Sequence, residues 1–299
     1  MPTEKAVSTD FVWNFSQKII DYVQLGKLRL SLVVVFSAGV SYLIGLQTAI
    51  DWWIFSGLLV GGLMITLSAN AINEILERKY DALMQRTAMR PLPAGRMEIR
   101  EAITFAFITG MWGLSILYFL VSLEAAFLGA ASLILYSFIY TPLKRITSFS
   151  VFIGAIPGAL PTLIGWLAAT SELEAGGWVL FTIQFLWQLP HFWSIAWLGF
   201  EEYTRAGYRL MPLGGGKDRK SAWQILIYTM FLLPISFLPY YFQMTSWVAV
   251  VILLLLAILF SFPCILLIRR LSRRQALWIM FASFLYLPLA QLAILLDKV

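Results

Sequence analysis

Long apolar runs that carry no charge constrain this chain more than any other feature of its sequence. Each run approaches or exceeds the ~17–25 residues that a helix needs to cross the hydrocarbon core of a bilayer. Because backbone polar groups in lipid must be satisfied within the segment itself, such runs form helices rather than open strands. We predict nine membrane-spanning helices, at approximately Leu30–Leu46, Trp52–Ile72, Ile103–Leu120, Ala125–Tyr140, Val151–Ala169, Trp178–Leu198, Trp223–Tyr241, Trp247–Ile268 and Leu277–Leu296.

The composition supports the same class of protein. Hydrophobic residues make up 60% of the 299 residues and charged residues 13%, whereas a soluble domain carries about 25% charged residues. We therefore predict an all-α fold, a polytopic membrane bundle, with a cytoplasmic N-terminal segment at residues 1–26 and a single nine-helix domain at residues 27–299. The start of the chain is polar and mixed in charge, unlike a transit or signal peptide, so we expect a bacterial inner membrane.

The positions of lysine and arginine predict the orientation in that membrane. Of the 22 such residues, 21 lie before the first run or in the loops that follow runs two, four, six and eight, and Lys298 is the exception. Loops rich in lysine and arginine remain in the cytoplasm, so we expect the N-terminus inside and the C-terminus outside. The net charge of +6 is explained by these loops and does not indicate a nucleic-acid partner.

The loop after the second run carries the most informative polar pattern. Asn73, Glu77 and Asp81 are spaced four residues apart, which places their side chains on one face of a helix. Their oxygens suit Mg²⁺, which prefers hard ligands and keeps substrate phosphate oxygens in its shell. Arg86 and Arg90 follow, and guanidinium groups match phosphate oxygens. The pattern predicts a metal and diphosphate site, although a solvated loop of mixed charge explains the spacing equally well.

Two further cytoplasmic segments add polar groups. After the fourth run, Tyr140, Lys144 and Arg145 lie at the membrane boundary, where they fit either phosphate donors or an aromatic belt with a positive-inside anchor. After the sixth run come Glu201 and Glu202. Because neighbours on a helix point ~100° apart, we expect one of these two acids to serve the site, where it would help to hold a second Mg²⁺.

His191 is the only histidine and lies within the sixth run. A histidine inside a membrane either carries a function or packs with a hydrogen-bonded partner. The sequence supplies no partner for it, so both interpretations stay open.

Taken together, these segments resemble the UbiA superfamily of intramembrane aromatic prenyltransferases, and within it they are most similar to the heme O synthases. The resemblance extends over roughly residues 27–212. It rests on three stretches: Asp81-x-x-Met84-x-Arg86-Thr87-x-x-Arg90-Pro91-Leu92, Pro190-His191-Phe192-Trp193, and Glu202-Tyr203-x-Arg205-Ala206-Gly207 followed by Met211-Pro212. The superfamily's other elements are Asn-x3-Asp-x3-Asp, Tyr-x3-Lys and an opening Lys-Pro-Arg, and they are matched by Asn73, Glu77 and Asp81, by Tyr140 and Lys144, and by Lys27-Leu28-Arg29.

The chain departs from the superfamily pattern at its acids. Glu77 stands where aspartate is usual, which lengthens the side chain by one methylene and keeps its charge. The second Asp-x3-Asp motif is incomplete, since the fourth residue after Glu202 is Ala206 and the fourth after Glu201 is Arg205. One acid together with Arg205 is what remains of that motif.

The resemblance implies a Mg²⁺-dependent enzyme that transfers a farnesyl group from farnesyl diphosphate to the vinyl group of heme B and gives heme O. It implies metal ligands at Asn73, Glu77, Asp81 and Glu202, with Glu201 as a further catalytic candidate. It implies diphosphate-binding residues at Lys27, Arg29, Arg86, Arg90, Tyr140, Lys144, Arg145 and Arg205, and a heme contact at His191. Heme A synthase or oxidase-assembly proteins would be further partners.

Two alternatives remain open. Another UbiA-type enzyme would prenylate a quinone or chlorophyll precursor, although the His-Phe-Trp and Tyr-x-Arg-Ala-Gly segments favour heme. A secondary transporter would also carry prolines within its spans, but transporters bind their substrates near the bilayer midplane. Here the strongly polar residues lie at one interface, which favours the enzyme.

Overall fold

The computed structural model describes residues 16–299, and nine long helical segments lie within them. They are α1 (Leu28–Gly45), α2 (Trp52–Asp81), α3 (Ile99–Val121), α4 (Leu123–Leu143), α5 (Ser150–Thr170), α6 (Ala175–Leu198), α7 (Arg219–Tyr241), α8 (Trp247–Arg270) and α9 (Arg273–Leu296). Residues 16–25 are helical as well, and the described part contains no β-strand. The predicted all-α fold is confirmed, while the part of the predicted N-terminal segment before residue 16 lies outside the described residues.

Eight of these segments are long and apolar enough to cross a membrane, and α6 is the exception. It has 24 residues, but Gln184, Gln188 and His191 lower its hydropathy. These three side chains are buried, and the Nε2 group of Gln291 in α9 donates to Gln184 Oε1 at 3.1 Å. The polar residues of α6 are therefore enclosed by neighbouring helices.

Polar caps and prolines determine where several helices begin and break. Asp51 accepts hydrogen bonds from two backbone N–H groups in the first turn of α2, at 2.8 and 3.1 Å, which satisfies donors that the helix itself leaves unpaired. α7 is continuous over Arg219–Met230 and goes on as two short turns, Leu232–Ile235 and Leu238–Tyr241. Each turn contains a proline, which has no N–H to continue the helical pattern.

Glycines allow close contact between α1 and α5 and between α2 and α3. A Cβ atom on Gly165 would lie 2.1 Å from the backbone oxygen of Ala38, and one on Gly113 would lie 2.9 Å from the backbone nitrogen of Ile65. Small residues at helix crossings are typical of membrane bundles, because packing replaces the hydrophobic driving force there. These contacts hold α1 against α5 and α2 against α3, and both α1 and α2 contribute walls to the cavity described below.

The two ends of the bundle are built differently. At one end the loops after α4 and α6 are in contact, since the backbone N–H of Arg209 donates to the Lys144 carbonyl at 2.8 Å. At the other end Lys298 Nζ donates to the carbonyls of Leu43 and Leu46, at 3.0 and 2.7 Å. The basic residue that departs from the charge pattern of the loops thus caps the end of α1 opposite to them.

Candidate active site

A cavity of ≈ 220 Å³ lies at the loop-rich end of the bundle. Its walls come from the start of α1, the ends of α2 and α4, and the loops after α2 and α6. Eight of the fourteen predicted site residues line it, and they come from three separate segments of the chain. These eight are Lys27, Asn73, Glu77, Asp81, Arg86, Arg90, Tyr140 and Lys144.

Two carboxylates on α2 face this cavity, and each contacts a cation. Lys144 Nζ lies 2.5 Å from Glu77 Oε1, and Arg90 Nη1 donates to Asp81 Oδ2 at 2.7 Å. The acid side chains are only 8% and 2% exposed. A buried carboxylate without a partner is strongly unfavourable, so each cation compensates the charge of its acid and supports the fold. A ligand with its own charges has to replace these contacts.

Lys27 and Asn73 extend this network towards α1 and α4. The Nζ group of Lys27 donates to Asn73 Oδ1 at 2.8 Å. Asn73 Nδ2 in turn donates to Glu77 Oε2 at 2.8 Å and to Thr141 Oγ1 at 3.0 Å. Burial, followed by repulsion from Arg90, lowers the pKa of the Lys27 ammonium to about 7. A negatively charged ligand would therefore favour its protonated form.

A π-helical turn in α4, Leu135–Tyr140, supplies two aromatic walls of the cavity. Tyr136 and Tyr140 both line it, and Thr141 Oγ1 satisfies the Tyr136 carbonyl at 2.8 Å. Such turns contain i→i+5 hydrogen bonds and are frequent at functional sites. Lys144 Nζ lies 4.9 Å from the ring centroid of Tyr140, so the tyrosine ring also contacts the cation of the Glu77 pair.

Tyr208 brings a buried hydroxyl to the same cavity. The residue is 7% exposed, and its hydroxyl lies near the Glu77 carboxylate without completing a hydrogen bond to any described residue. Burial, and then the charge of Glu77, raises the pKa of Tyr208, so the group remains a donor at neutral pH. A buried donor without a partner costs about 1–3 kcal/mol. A ligand oxygen in the cavity would remove that penalty.

The two predicted acids of the loop after α6 are not brought to this cavity. Glu201 is 67% exposed at its side chain and pairs with Lys217 Nζ at 2.6 Å, and this hydrogen bond lowers its pKa. Glu202 is half-buried and lies outside the cavity lining. The loop contributes Tyr203 and Tyr208 instead.

Three predicted cations also lie outside the cavity lining. Arg29 and Arg205 are exposed. Arg145 lines a neighbouring cleft that includes Glu77, and its guanidinium donates to the Tyr80 hydroxyl and lies 3.8 Å from the Tyr80 ring centroid. The neighbouring residues Lys144 and Arg145 therefore line two different spaces, the cavity and the cleft.

His191 has the partner that the sequence could not supply. Its Nδ1 lies 2.8 Å from Ser283 Oγ in α9, and its ring stacks on Trp187 with 4.9 Å between centroids and 12° between planes. The residue is 8% exposed and lines none of the cavities described here. These contacts account for a packing role, and the heme contact stays a prediction.

The cavity fits a magnesium ion that arrives with a diphosphate. Residues 16–299 contain no group of three or more His, Cys, Asp or Glu side chains arranged to hold a metal ion. Magnesium, however, is usually bound through one or two carboxylates together with substrate phosphates, rather than by an all-protein cage. Asn73, Glu77 and Asp81 provide such a partial set, because their side chains line one cavity.

Glu74 was missed by the sequence reasoning, although it directly follows Asn73. It is fully buried, its Oε1 accepts a hydrogen bond from the Leu92 backbone at 3.3 Å, and its Oε2 has no partner among the described residues. The contact ties α2 to the loop that carries Arg90. Tyr208 was missed as well, and its only sequence signal is its place directly after the Ala206-Gly207 pair.

Comparison with solved structures supports the fold. The structure of digeranylgeranylglyceryl phosphate synthase matches with a TM-score of 0.77 at 19% identity and covers 94% of this chain and 98% of that chain. A UbiA homolog from Archaeoglobus fulgidus bound to DMAPP and Mg²⁺ matches with a TM-score of 0.69 at 14% identity, over 92% of this chain and 99% of that chain. At these identities the likeness is one of fold alone.

Comparison with known sequences identifies the family. The chain is 47% identical to the protoheme IX farnesyltransferase of Cytophaga hutchinsonii, over 93% of this chain and 97% of that protein. Residues 32–287 match the model of the UbiA prenyltransferase family. This match spans most of the chain and includes the acids of α2, the end of α4 and the loops after α2 and α6. The chain therefore belongs to the UbiA prenyltransferase family.

Proposed function

We propose that this chain transfers a farnesyl group from farnesyl diphosphate to a vinyl group of heme B and so produces heme O. The observation that carries the proposal is the pairing of two buried carboxylates with two cations in one cavity. The high identity to a protoheme IX farnesyltransferase supports heme as the acceptor. It does not favour a quinone or chlorophyll precursor, or a transporter.

The reaction breaks the bond between C1 of the farnesyl group and the diphosphate oxygen, and the electron pair leaves with the diphosphate. The terminal carbon of the heme vinyl group then bonds to the allylic cation at C1. The new cation beside the porphyrin ring takes up water and releases a proton, which gives the hydroxyethylfarnesyl group. The protein has to stabilise the leaving diphosphate and to keep water from C1 until the carbon–carbon bond has formed.

The cations of the cavity suit the first task. Lys27, Arg86, Arg90 and Lys144 line it from three segments of the chain, and charge-assisted hydrogen bonds to phosphate oxygens are roughly twice as strong as neutral ones. As the diphosphate accepts these bonds, Arg90 and Lys144 exchange their contacts with the acids for contacts with the leaving group. Tyr208 adds a neutral donor.

The acids and the aromatic walls complete the assignment. When bound, Mg²⁺ would be held by Asn73, Glu77 and Asp81 together with diphosphate oxygens and would neutralise charge on the leaving group. The rings of Tyr136 and Tyr140 line the same cavity and offer π faces to an allylic cation. They also limit the access of water to it.

We further propose that all nine helices span a bacterial inner membrane, with the loop-rich end and the N-terminus in the cytoplasm. The distribution of basic residues supports this orientation, as does the location of Lys27 and Lys298 at opposite ends of α1. Heme O is a membrane-soluble product, and we expect its transfer to a heme A synthase or an oxidase-assembly protein.

The decisive experiment is product analysis with the purified protein. Heme B, farnesyl diphosphate and MgCl₂ are incubated with the protein in detergent. The extracted pigments are then separated, and their masses are measured by mass spectrometry. We expect a product that carries one farnesyl group and one hydroxyl group more than heme B. Its absence at all protein concentrations would overturn the proposal. Asp81→Asn protein prepared in parallel shows whether a host enzyme contributes.

A further inference from the structure

A second cleft lies between α2 and α4, next to the diphosphate cavity. It measures ≈ 550 Å³, against ≈ 220 Å³ for the cavity. Its walls are largely apolar and include Leu76, Phe138 and Ile146, whose side chains are 42%, 56% and 65% exposed. Glu77 lines both spaces, so the cleft and the diphosphate cavity adjoin at this side chain.

Arg145 is the cation of this cleft, and no acid pairs with it among the described residues. Lys144 and Arg90 both contact carboxylates, whereas the guanidinium of Arg145 donates to the Tyr80 hydroxyl and lies over the Tyr80 ring. A guanidinium held on an aromatic ring keeps most of its five N–H donors for another partner. The planar fork of those donors matches a carboxylate.

We propose that the cleft between α2 and α4 binds the heme acceptor, with Arg145 paired to a propionate carboxylate and the apolar walls against the macrocycle. The proposal rests on the function proposed above, since heme is a flat, largely apolar molecule that carries carboxylates at one edge. Tyr80 acts as a positioning residue for Arg145. Because Glu77 is shared, the acceptor would occupy the space that adjoins the diphosphate cavity. The family resemblance implied that Arg145 binds the diphosphate; under this proposal it binds the acceptor instead.

The test measures the KM for heme B and the KM for farnesyl diphosphate separately. For Arg145→Gln we expect a KM for heme B raised about 10-fold, from the loss of one charge-assisted pair, with the KM for farnesyl diphosphate unchanged. Arg145→Lys, which keeps the charge, should recover part of the heme KM. Lys79→Gln, which removes an exposed cation of α2, is the matched control and should change neither constant.

A chemical variant of the acceptor tests the same contact without changing the protein. Heme B dimethyl ester has no free carboxylate, so its KM with the wild-type protein should rise by the same factor. Arg145→Gln should show no further loss with the ester. An unchanged heme KM in Arg145→Gln, continued discrimination between acid and ester by that variant, or a rise in the farnesyl diphosphate KM would each overturn the proposal.

An anionic lipid headgroup is the competing occupant of the cleft. Assays in nanodiscs of defined lipid composition distinguish binding of such a lipid from binding of heme. If the defect of Arg145→Gln appears only when phosphatidylglycerol is present, and is absent in phosphatidylcholine alone, then Arg145 binds lipid and the proposal fails. Failure of the underlying function has a different signature, because wild-type protein would then form no heme O. Heme O from both wild type and Arg145→Gln with equal constants would defeat the cleft assignment alone.

Discussion

The ammonium of Lys144 lies 2.5 Å from Glu77 Oε1 and joins α4 to α2 inside the cavity. Both side chains are largely buried, at 11% and 8% exposed. Removal of one partner of such a pair leaves an uncompensated charge and typically costs about 3–5 kcal/mol. The pair is therefore structural in the free protein, and under the proposed function its two side chains become part of the diphosphate site when a substrate displaces their contact.

Lys144→Met should lower the free energy of unfolding by about 3–5 kcal/mol, because Glu77 is left without its counter-charge. The double variant Lys144→Met with Glu77→Gln should recover most of this loss, and neither variant should transfer farnesyl groups. Thermal unfolding in detergent micelles measures the first effect and product formation the second. A double variant as unstable as the single one would point to lost packing of the lysine stem instead.

Asp81→Asn should reduce turnover by at least about 100-fold, since it removes a charge that acts on the diphosphate and its metal. Glu201→Gln is the matched control; its carboxylate pairs with Lys217 outside the cavity, and we expect activity within about twofold of wild type. Equal losses of turnover in the two variants would contradict the site assigned from the structure. They would indicate that the second acidic motif takes part in catalysis.

Chelation of Mg²⁺ should stop turnover and also weaken substrate binding. Farnesyl diphosphate that binds the native state raises thermal stability, and we expect this protection to decrease in excess EDTA and to return with MgCl₂. The binding readout is independent of heme. Full protection in EDTA would show that the cations alone hold the diphosphate and that Glu77 and Asp81 do not act through a metal.

Tyr208→Phe should lower activity and raise stability. We expect farnesyl transfer to fall about 10-fold, because a donor to the diphosphate is lost, while stability rises by up to about 1 kcal/mol as an unpaired buried hydroxyl disappears. Tyr241→Phe, at an exposed tyrosine of α7, is the control for both measurements. A loss of stability in Tyr208→Phe would mean that the hydroxyl is already bonded in the resting protein.

His191→Phe tests whether this residue packs or binds heme. The ring that stacks on Trp187 is retained, and one hydrogen bond to Ser283 is lost, so we expect a loss of about 1 kcal/mol in stability and an unchanged KM for heme. A selective rise in that KM, with stability unaffected, would instead support the heme contact that the family resemblance implies.

Much of the fold follows from local patterns in the sequence. The length of the apolar runs predicts the helices, and the i, i+4 spacing predicts that Asn73, Glu77 and Asp81 share one helix face. Both predictions succeed because they depend only on residues close together in the sequence. Contacts between distant residues could not be predicted in this way. The partner of His191 is Ser283, 92 positions away, and Glu201 pairs with Lys217 in a loop without regular periodicity.

The π-helical turn at Leu135–Tyr140 has a consequence for how this site could change. Successive residues of a helix point ~100° apart, and Lys144 and Arg145 follow the turn by only a few positions. Deletion of one residue from the turn would rotate the segment after it, move Lys144 away from Glu77 and bring Arg145 towards the cavity. Under the proposed function, the register of α4 thus decides which cation meets the diphosphate, so a single-residue deletion in an apolar stretch would put Arg145 in the place of Lys144 without substituting either residue.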